Sequence, residues 1–401
     1  MNANGIINIV RFLNFPVENN ATEEVEINLQ LDENTCVYRL VENINTAELI
    51  NNKKIYHNKK YFCQNLFAVD EQGEKYTLLG CSFWCGVKGF TTYIDFAFNS
   101  ILFYGHVNNI DDILLDKIEL KISYKRPLRF NFTNNGINVV STPVYSKEHL
   151  TKEELEWFGK DHPGEYQNTI DLTLTGNNTF FEYEKFIWRL SEFVLLRHED
   201  MFFYDTFILY CNKRQYKYKN FKRSNNTELR KKNLKTSKNR INVFCADPLD
   251  DFEVLFEKFL DFREKSGIVF DVFRSTVYSN SFREDYPLRL SQTMEGLANY
   301  LEIIDTANVD TDDNFRKAIL YSIRCNDYLE EYLPNKTTRK SFCYRITEHR
   351  NCLSHVNKDK QLLQGEKNEE YAEILYSTIR VLIIKHLKGE ILTEKGGMNS
   401  V

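Results

Sequence analysis

The stretch Arg345 to His355 reads Arg-Ile-Thr-Glu-His-Arg-Asn-Cys-Leu-Ser-His, and Arg350, Asn351 and His355 within it are residue types that can cut RNA without a metal. Such a reaction needs a base to take the proton from a ribose 2′-OH as it attacks the neighbouring phosphate. It needs an acid to protonate the leaving oxygen, and a cation to hold the charge of the transition state. Histidine exchanges protons near neutral pH. Arginine stays charged and grips phosphate oxygens with several donors at once. On one ideal helix, positions five apart diverge by about 140°. Positions four apart, such as Asn351 and His355, share a face. The spacing therefore predicts either a helix that frays near His355 or a site completed by a second subunit.

The elements that would hold these residues follow from the apolar period. From Asp247 onward it is helical. Asp247 and Pro248 read as the cap and first turn of a helix carrying Phe252, Phe256, Phe259 and Arg263. Pro287 opens a second, with Leu290, Met294, Leu297, Leu301 and Ile304 on one face. A third is expected over Asn314 to Tyr332, a fourth over about 339–355, and a last over about 367–388 with Gly389 as its stop. The expectation is an all-α bundle of four or five helices. Arg-x4-His is a weak pattern by itself. An Asn directly after the Arg, close to the end of the penultimate helix, makes it stronger.

The first 175 or so residues alternate polar and apolar instead. Glu26 to Leu31 and Lys117 to Ile122 are half-buried strands by pattern, and Asn135-Gly136 reads as a hairpin turn between Leu128–Phe132 and Ile137–Val140. Many short strands predict an antiparallel sandwich or barrel. Residues 179–199 have helical spacing, with Phe186, Leu190, Phe193 and Leu196 on one face, and a strand-like run from Phe202 to Tyr210 follows. The fold class expected is thus α+β and multidomain: residues 1–178 β-rich, 179–246 a helix, strand and basic arm, and 247–401 helical.

Net charge is -5, which argues against a nucleic-acid partner until its distribution is read. Residues 211–240 hold twelve Lys and Arg against one Glu, a local +11, so the rest of the chain sums to -16. Lys213, Arg214, Lys217, Lys219, Lys222, Arg223, Arg230, Lys231 and Lys232 are candidate phosphate contacts, with Tyr216, Tyr218 and Phe221 interleaved for base stacking. The plainer reading is a solvated loop or long hairpin. The N-terminus lacks the basic and apolar regions of a signal peptide, and no apolar run is long enough to span a bilayer. Nine scattered cysteines suggest reduced thiols and a cytoplasmic setting. Cys81 and Cys85, in an expected strand, are too far apart to share one ion, so no zinc site or other cofactor is expected. P-loop, dinucleotide-turn, His-Glu-x-x-His and Gly-x-Ser-x-Gly patterns are absent from the sequence.

Residues 250–390 resemble a HEPN domain, and "RNCLSH" looks like its Arg-(polar)-x3-His ribonuclease motif. "LRLSQTMEGLANYLEI" is similar to the Q-x-x-E-x-L helix of the ApeA-like branch. "YTLLGC" at Tyr76–Cys81, "ILFYGHV" at Ile101–Val107 and the helix "FIWRLSEFVLL" resemble that branch's β-rich region. The resemblance implies a metal-independent endoribonuclease in anti-phage abortive infection, acting as a homodimer through the helical domain. It makes His355 the proton-transfer residue, Arg350 the phosphate ligand and Asn351 their orienting neighbour, with Glu295 orienting Arg350. The implied partners are RNA, tRNA among the candidates, and a phage-derived trigger, with no membrane.

Each residue also has a plainer reading. His349 sits on the apolar stripe and reads as a core or interface histidine. Glu295 shares a polar face with Ser291 and Asn299 and reads as solvated. His106 ends a strand and reads as structural. Two other functions compete with the enzyme: a non-catalytic HEPN module that docks RNA or protein, and a β-domain that binds carbohydrate or peptide while the helices dimerise.

Overall fold

The computed structural model describes residues 6–16, 22–32, 35–41, 60–88, 91–123, 130–145, 167–198, 202, 204, 206–220, 252–278, 286–302, 314–326, 329, 332–355 and 366–391. The chain divides into two compact units. One comprises Met1–Ile187 with Phe202–Lys231, the other Trp188–Met201 with Lys232–Val401. An antiparallel sheet builds the first and helices build the second.

Among the described residues thirteen strands make the sheet: β1 (Ile6–Pro16), β2 (Thr22–Asp32), β3 (Val37–Val41), β4 (Lys60–Asp70), β5 (Lys75–Lys88), β6 (Thr91–Ala97), β7 (Ser100–Phe103), β8 (Leu114–Ser123), β9 (Asn131–Asn134), β10 (Ile137–Tyr145), β11 (Gln167–Thr179), β12 (Thr206–Cys211) and β13 (Arg214–Asn220). Their order is β2-β1-β4-β5-β7-β13-β12-β8-β11-β10-β9, with β6 also on β5 and β3 on β6. The expected sandwich or barrel is thus one branched, hydrogen-bonded sheet. The branch lies on β5, which pairs through Tyr76–Leu79 with β7 and through Ser82–Lys88 with β6. Gly80 sits between the two stretches at φ +64°, where the Leu79 carbonyl accepts from Asn99 N at 2.9 Å. A Cβ at Gly80 would run into the Asn99 side chain, so glycine answers both needs here.

Alternation sends apolar side chains to two cores. Ile9, Phe12, Leu29, Leu66, Leu78, Phe83, Phe96, Ile101 and Phe103 meet in one, so the six strands β1, β2 and β4–β7 contribute to a single apolar cluster. The aromatic residues Phe96, Phe98 and Phe103 are core, not a binding surface. On β8, β11 and β12, Ile118, Leu120, Ile122, Leu172, Leu174, Phe207 and Leu209 are buried, while Lys117, Glu119, Asp171 and Thr173 alternate with them. All four residues of β7 are buried, because Ile101 and Phe103 serve the first core while Leu102 lies opposite Tyr218 on the other face. The Asn135-Gly136 turn joins β9 and β10 with both residues at positive φ, as the dipeptide predicts.

Helix α1 (Phe180–His198) begins with a capping box. Glu182 Oε2 accepts from Thr179 N at 2.8 Å, and Thr179 Oγ1 accepts from Glu182 N. Phe180 packs edge-on to Phe207 and Tyr218. The anticipated stripe Phe186, Leu190, Phe193 and Leu196 is buried. From Ser191 to Leu196 every residue is buried, so this part of α1 is enclosed on all sides.

Six further helices are described: α2 (Phe252–Ser266), α3 (Ile268–Tyr278), α4 (Tyr286–Tyr300), α5 (Asn314–Arg324), α6 (Lys336–His355) and α7 (Glu366–Lys388). This exceeds the four or five expected, because α3 lies between the first two expected helices, where none was expected. The Asp247-Pro248 start lies outside the described residues. The third expected helix stops at Arg324 instead of Tyr332. Asn326 is buried there and donates to Ser377 and Thr378 on α7, at 3.3 Å each. A buried amide demands polar partners, and finding them across the bundle diverts the chain from the helix. Helix α7 ends as anticipated, with Gly389 at φ +76° and Glu390 N bonding back to the Lys385 carbonyl at 2.8 Å.

Candidate active site

Three helices converge on Arg350. Its own helix, α6, starts at Lys336, three residues before the expected start near 339, and Asn335 caps it. Asn335 Oδ1 accepts from Thr338 N at 2.9 Å, and Thr338 Oγ1 donates back to the Asn335 carbonyl. The buried side of α6 carries Phe342, Cys343, Ile346, Thr347, His349 and Cys352. Thr347 satisfies its hydroxyl on the Cys343 carbonyl at 2.8 Å. Arg350 lies at the border of that face and keeps 30% side-chain exposure.

From α4, Glu295 reaches Arg350. Arg350 Nη2 donates to Glu295 Oε2 at 3.0 Å, and Glu295 is also 30% exposed. Glu295 therefore differs from a freely solvated glutamate. Its polar-face neighbours differ from each other as well: Asn299 is exposed, whereas Ser291 is fully buried and bonds to the Leu288 carbonyl at 2.7 Å. From α5, Phe315 presents its ring to Arg350, with Cζ 4.5 Å from the ring centroid. Phe315 is 2% exposed, so this side of the guanidinium faces apolar protein.

The other motif residues divide. Asn351 is half-buried. His355 is the last residue of α6, and its side chain lies outside the described residues. The backbone is helical through His355, so fraying before that residue is not the way the divergence is resolved. Arg350 and His355 leave the same helix about 140° apart. His349 is buried, in keeping with a core histidine.

The basic segment is placed in two parts. Lys213 and Arg214 are exposed at the tip of the β12–β13 hairpin, where Asn212 and Lys213 turn with positive φ. Lys217 is half-buried, its Nζ 5.0 Å from the Phe103 ring centroid. Lys219 is only 8% exposed, which corrects its expected place among the phosphate contacts: a strand inside the sheet has taken it up. Tyr218 is likewise a core residue, with its hydroxyl on Ser100 Oγ at 2.9 Å, and is not open to a stacking base. Lys222, Arg223, Arg230, Lys231, Lys232 and Phe221 lie outside the described residues. Beside the hairpin the surface is mixed in sign. Glu119 accepts from Lys117 and Tyr210, which hold its carboxyl below the usual range, and the same bond pushes the Tyr210 hydroxyl up to about 12.

Sequence reasoning passed over two features. Phe315 falls within the third expected helix as an ordinary apolar residue, and only packing reveals what lies on its ring. The other is a buried ionic cluster. Glu192, with no side-chain exposure, pairs with Arg189 at 2.7 Å, Arg263 at 3.2 Å and Arg274 at 2.9 Å, and Asp271 also pairs with Arg263 and Arg274. The available signal was Arg263 itself, a charge on a stripe otherwise made of Phe252, Phe256 and Phe259.

Two histidines outside the motif are structural in their contacts. His106 Nε2 lies 3.1 Å from the Ala68 carbonyl and its ring stacks on Phe67; burial lowers its pKa. His386 lies against Phe262 and Tyr300, and burial lowers it too. It lines a cleft of about 420 Å³ with Glu257, Lys258, Asp261 and Phe262. Cys81 and Cys85 both lie on β5, and the register sets Cys63 directly opposite Cys81, which is buried and donates through Sγ to the Leu78 carbonyl at 3.3 Å. Among the described residues no helix is long and apolar enough to cross a membrane, and no group of three or more His, Cys, Asp and Glu is arranged to hold a metal ion. Comparison with protein-family models, with curated proteins and with solved structures finds no match to this chain.

Proposed function

We propose that this chain is a metal-independent endoribonuclease of the HEPN type, working in anti-phage abortive infection as a homodimer. The observation that carries the reading is the setting of Arg350. Its guanidinium is held by Glu295 on one helix and Phe315 on another, beside the outward surface, in a motif that ends with His355. A fixed, partly exposed arginine is suited to binding a phosphate as charge builds on it. His355 then takes the 2′-OH proton or supplies one to the leaving 5′-oxygen, and Asn351 orients the pair. The 140° divergence along α6 favours a site that draws on two subunits. The β-sheet unit would sense the trigger or hold the substrate, with Lys213 and Arg214 among its phosphate contacts.

The test is to incubate the wild-type chain and His355→Ala with cellular RNA in excess EDTA and to map every new end. The expected products are a 2′,3′-cyclic phosphate, or its opened form, and a 5′-OH, with none from the variant. Strict Mg²⁺ dependence with 5′-phosphate ends would overturn the reading. RNA binding with no cleavage by the wild type would favour a non-catalytic RNA-docking module.

A further inference from the structure

We propose that Phe315 is a positioning residue for the cleavage reaction: its ring holds the Arg350 guanidinium in the plane from which the phosphate is met. This rests on the ribonuclease reading of the Arg350 site. Three observations support it. Arg350 Cζ stands 4.5 Å from the Phe315 centroid, within range of a cation–π contact. The ring is 2% exposed, so it is itself fixed by the core and cannot follow a swinging arginine. Glu295 takes a hydrogen bond from Nη2 alone, which leaves most of the five guanidinium N–H donors uncommitted to it.

Neither contact is sufficient alone. A single hydrogen bond at Nη2 lets the guanidinium pivot about that bond. A ring beneath it lets the group slide and spin in plane. Together they restrict both movements, and the remaining donors keep one direction before substrate arrives. Catalysis gains from such preorganisation because the donors need not reorient as charge develops. The placement of Phe315 is secured from its neighbour. Arg316 lies 5.4 Å over the Tyr344 ring of α6, and its carbonyl accepts from Cys343 Sγ at 3.6 Å. These contacts set the register of α5 against α6 at the residue next to Phe315. A leucine would fill much of the same space and keep the core apolar, but it has no π-face for the cation.

The experiment replaces Phe315 in the full-length chain with 4-fluoro-, 3,5-difluoro- and pentafluorophenylalanine. The series weakens the ring's attraction for a cation while nearly preserving its shape. Single-turnover cleavage is measured at saturating RNA, and RNA affinity is measured in the His355→Ala background. The rate should fall stepwise, reaching about tenfold with the pentafluoro ring, while Kd moves less than about threefold and thermal unfolding holds. Phe315→Leu should fall at least as far. A rate that is flat across the series, or that falls only with loss of fold, overturns the proposal. A wild type that cleaves no RNA fails the ribonuclease reading instead. The positioning claim is then decided by NMR of the Arg350 Nε–H group, identified by its loss in Arg350→Lys. Motion that rises with fluorination supports it, and unchanged motion overturns it.

Discussion

Arg350 and Glu295, 55 residues apart in sequence, are joined by one hydrogen bond of 3.0 Å between α6 and α4. Both side chains keep 30% exposure, so the pair is a weak source of stability and a strong constraint on direction. Glu295→Gln should therefore change folding free energy by less than about 1 kcal/mol. The same variant should slow single-turnover cleavage by about ten- to a hundredfold, because a guanidinium released by its carboxylate samples wrong orientations. Urea unfolding and quenched-flow cleavage of the same preparation check both halves. Equal losses in stability and rate would make Glu295 a structural partner only.

Complementation between subunits tests whether the site is shared. Arg350→Ala and His355→Ala are each expected to be inactive as homodimers. If Arg350 of one subunit works with His355 of its partner, each mixed dimer regains one intact site, so a random mixture recovers about a quarter of wild-type activity. Mixing after co-refolding, with sedimentation to confirm dimers, provides the measurement. No recovery from a verified heterodimer would place both residues of a site in one chain.

The β12–β13 hairpin should contribute affinity and little chemistry. Replacing Lys213, Arg214 and Lys217 together with Gln should weaken RNA binding and reduce the log–log salt slope by roughly 2, at about 0.7 per lost single-strand phosphate contact. Turnover at saturating RNA should change much less. Lys219 is omitted from the variant, because at 8% exposure its loss would disturb the sheet. Fluorescence anisotropy across a salt series reads the slope, and an unchanged slope would remove the hairpin from the RNA path.

The ionic cluster at Glu192 is expected to matter for folding. Glu192→Gln removes a carboxylate with no side-chain exposure and leaves Arg263, at 7%, with Asp271 as its one remaining carboxylate among the described residues. The expected cost is about 3 kcal/mol, as for other buried pairs broken from one side. Asp261→Asn breaks the Lys265 pair, in which both side chains are 62% exposed, and should leave the melting curve unchanged. Parallel melts compare the two, and equal stability of Glu192→Gln and wild type would show that the cluster is neutral to folding.

Local chemistry made much of this protein legible from sequence. Alternation on β8 and β11, the Asn135-Gly136 turn, the stripe on α1 and the Gly389 stop all depend on neighbours within a few residues, and those signals survive without tertiary context. The order of strands did not have such a signal. Pairing β13 with β7, and splitting β5 at Gly80 between two partners, are choices among many chemically similar strands. For the same reason the Lys-rich segment reads equally as a phosphate-contacting arm, a solvated loop or a hairpin, whereas its first part is a hairpin strand that draws Lys219 and Tyr218 out of water. At the site, residue types and spacing within α6 singled out Arg350, Asn351 and His355. Phe315 beneath Arg350, the distance to Glu295 and the buried partners of Arg263 came only with packing, because each joins helices far apart in the chain. A side chain's type is a property of sequence, whereas the direction in which a guanidinium points is set by what the fold places around it.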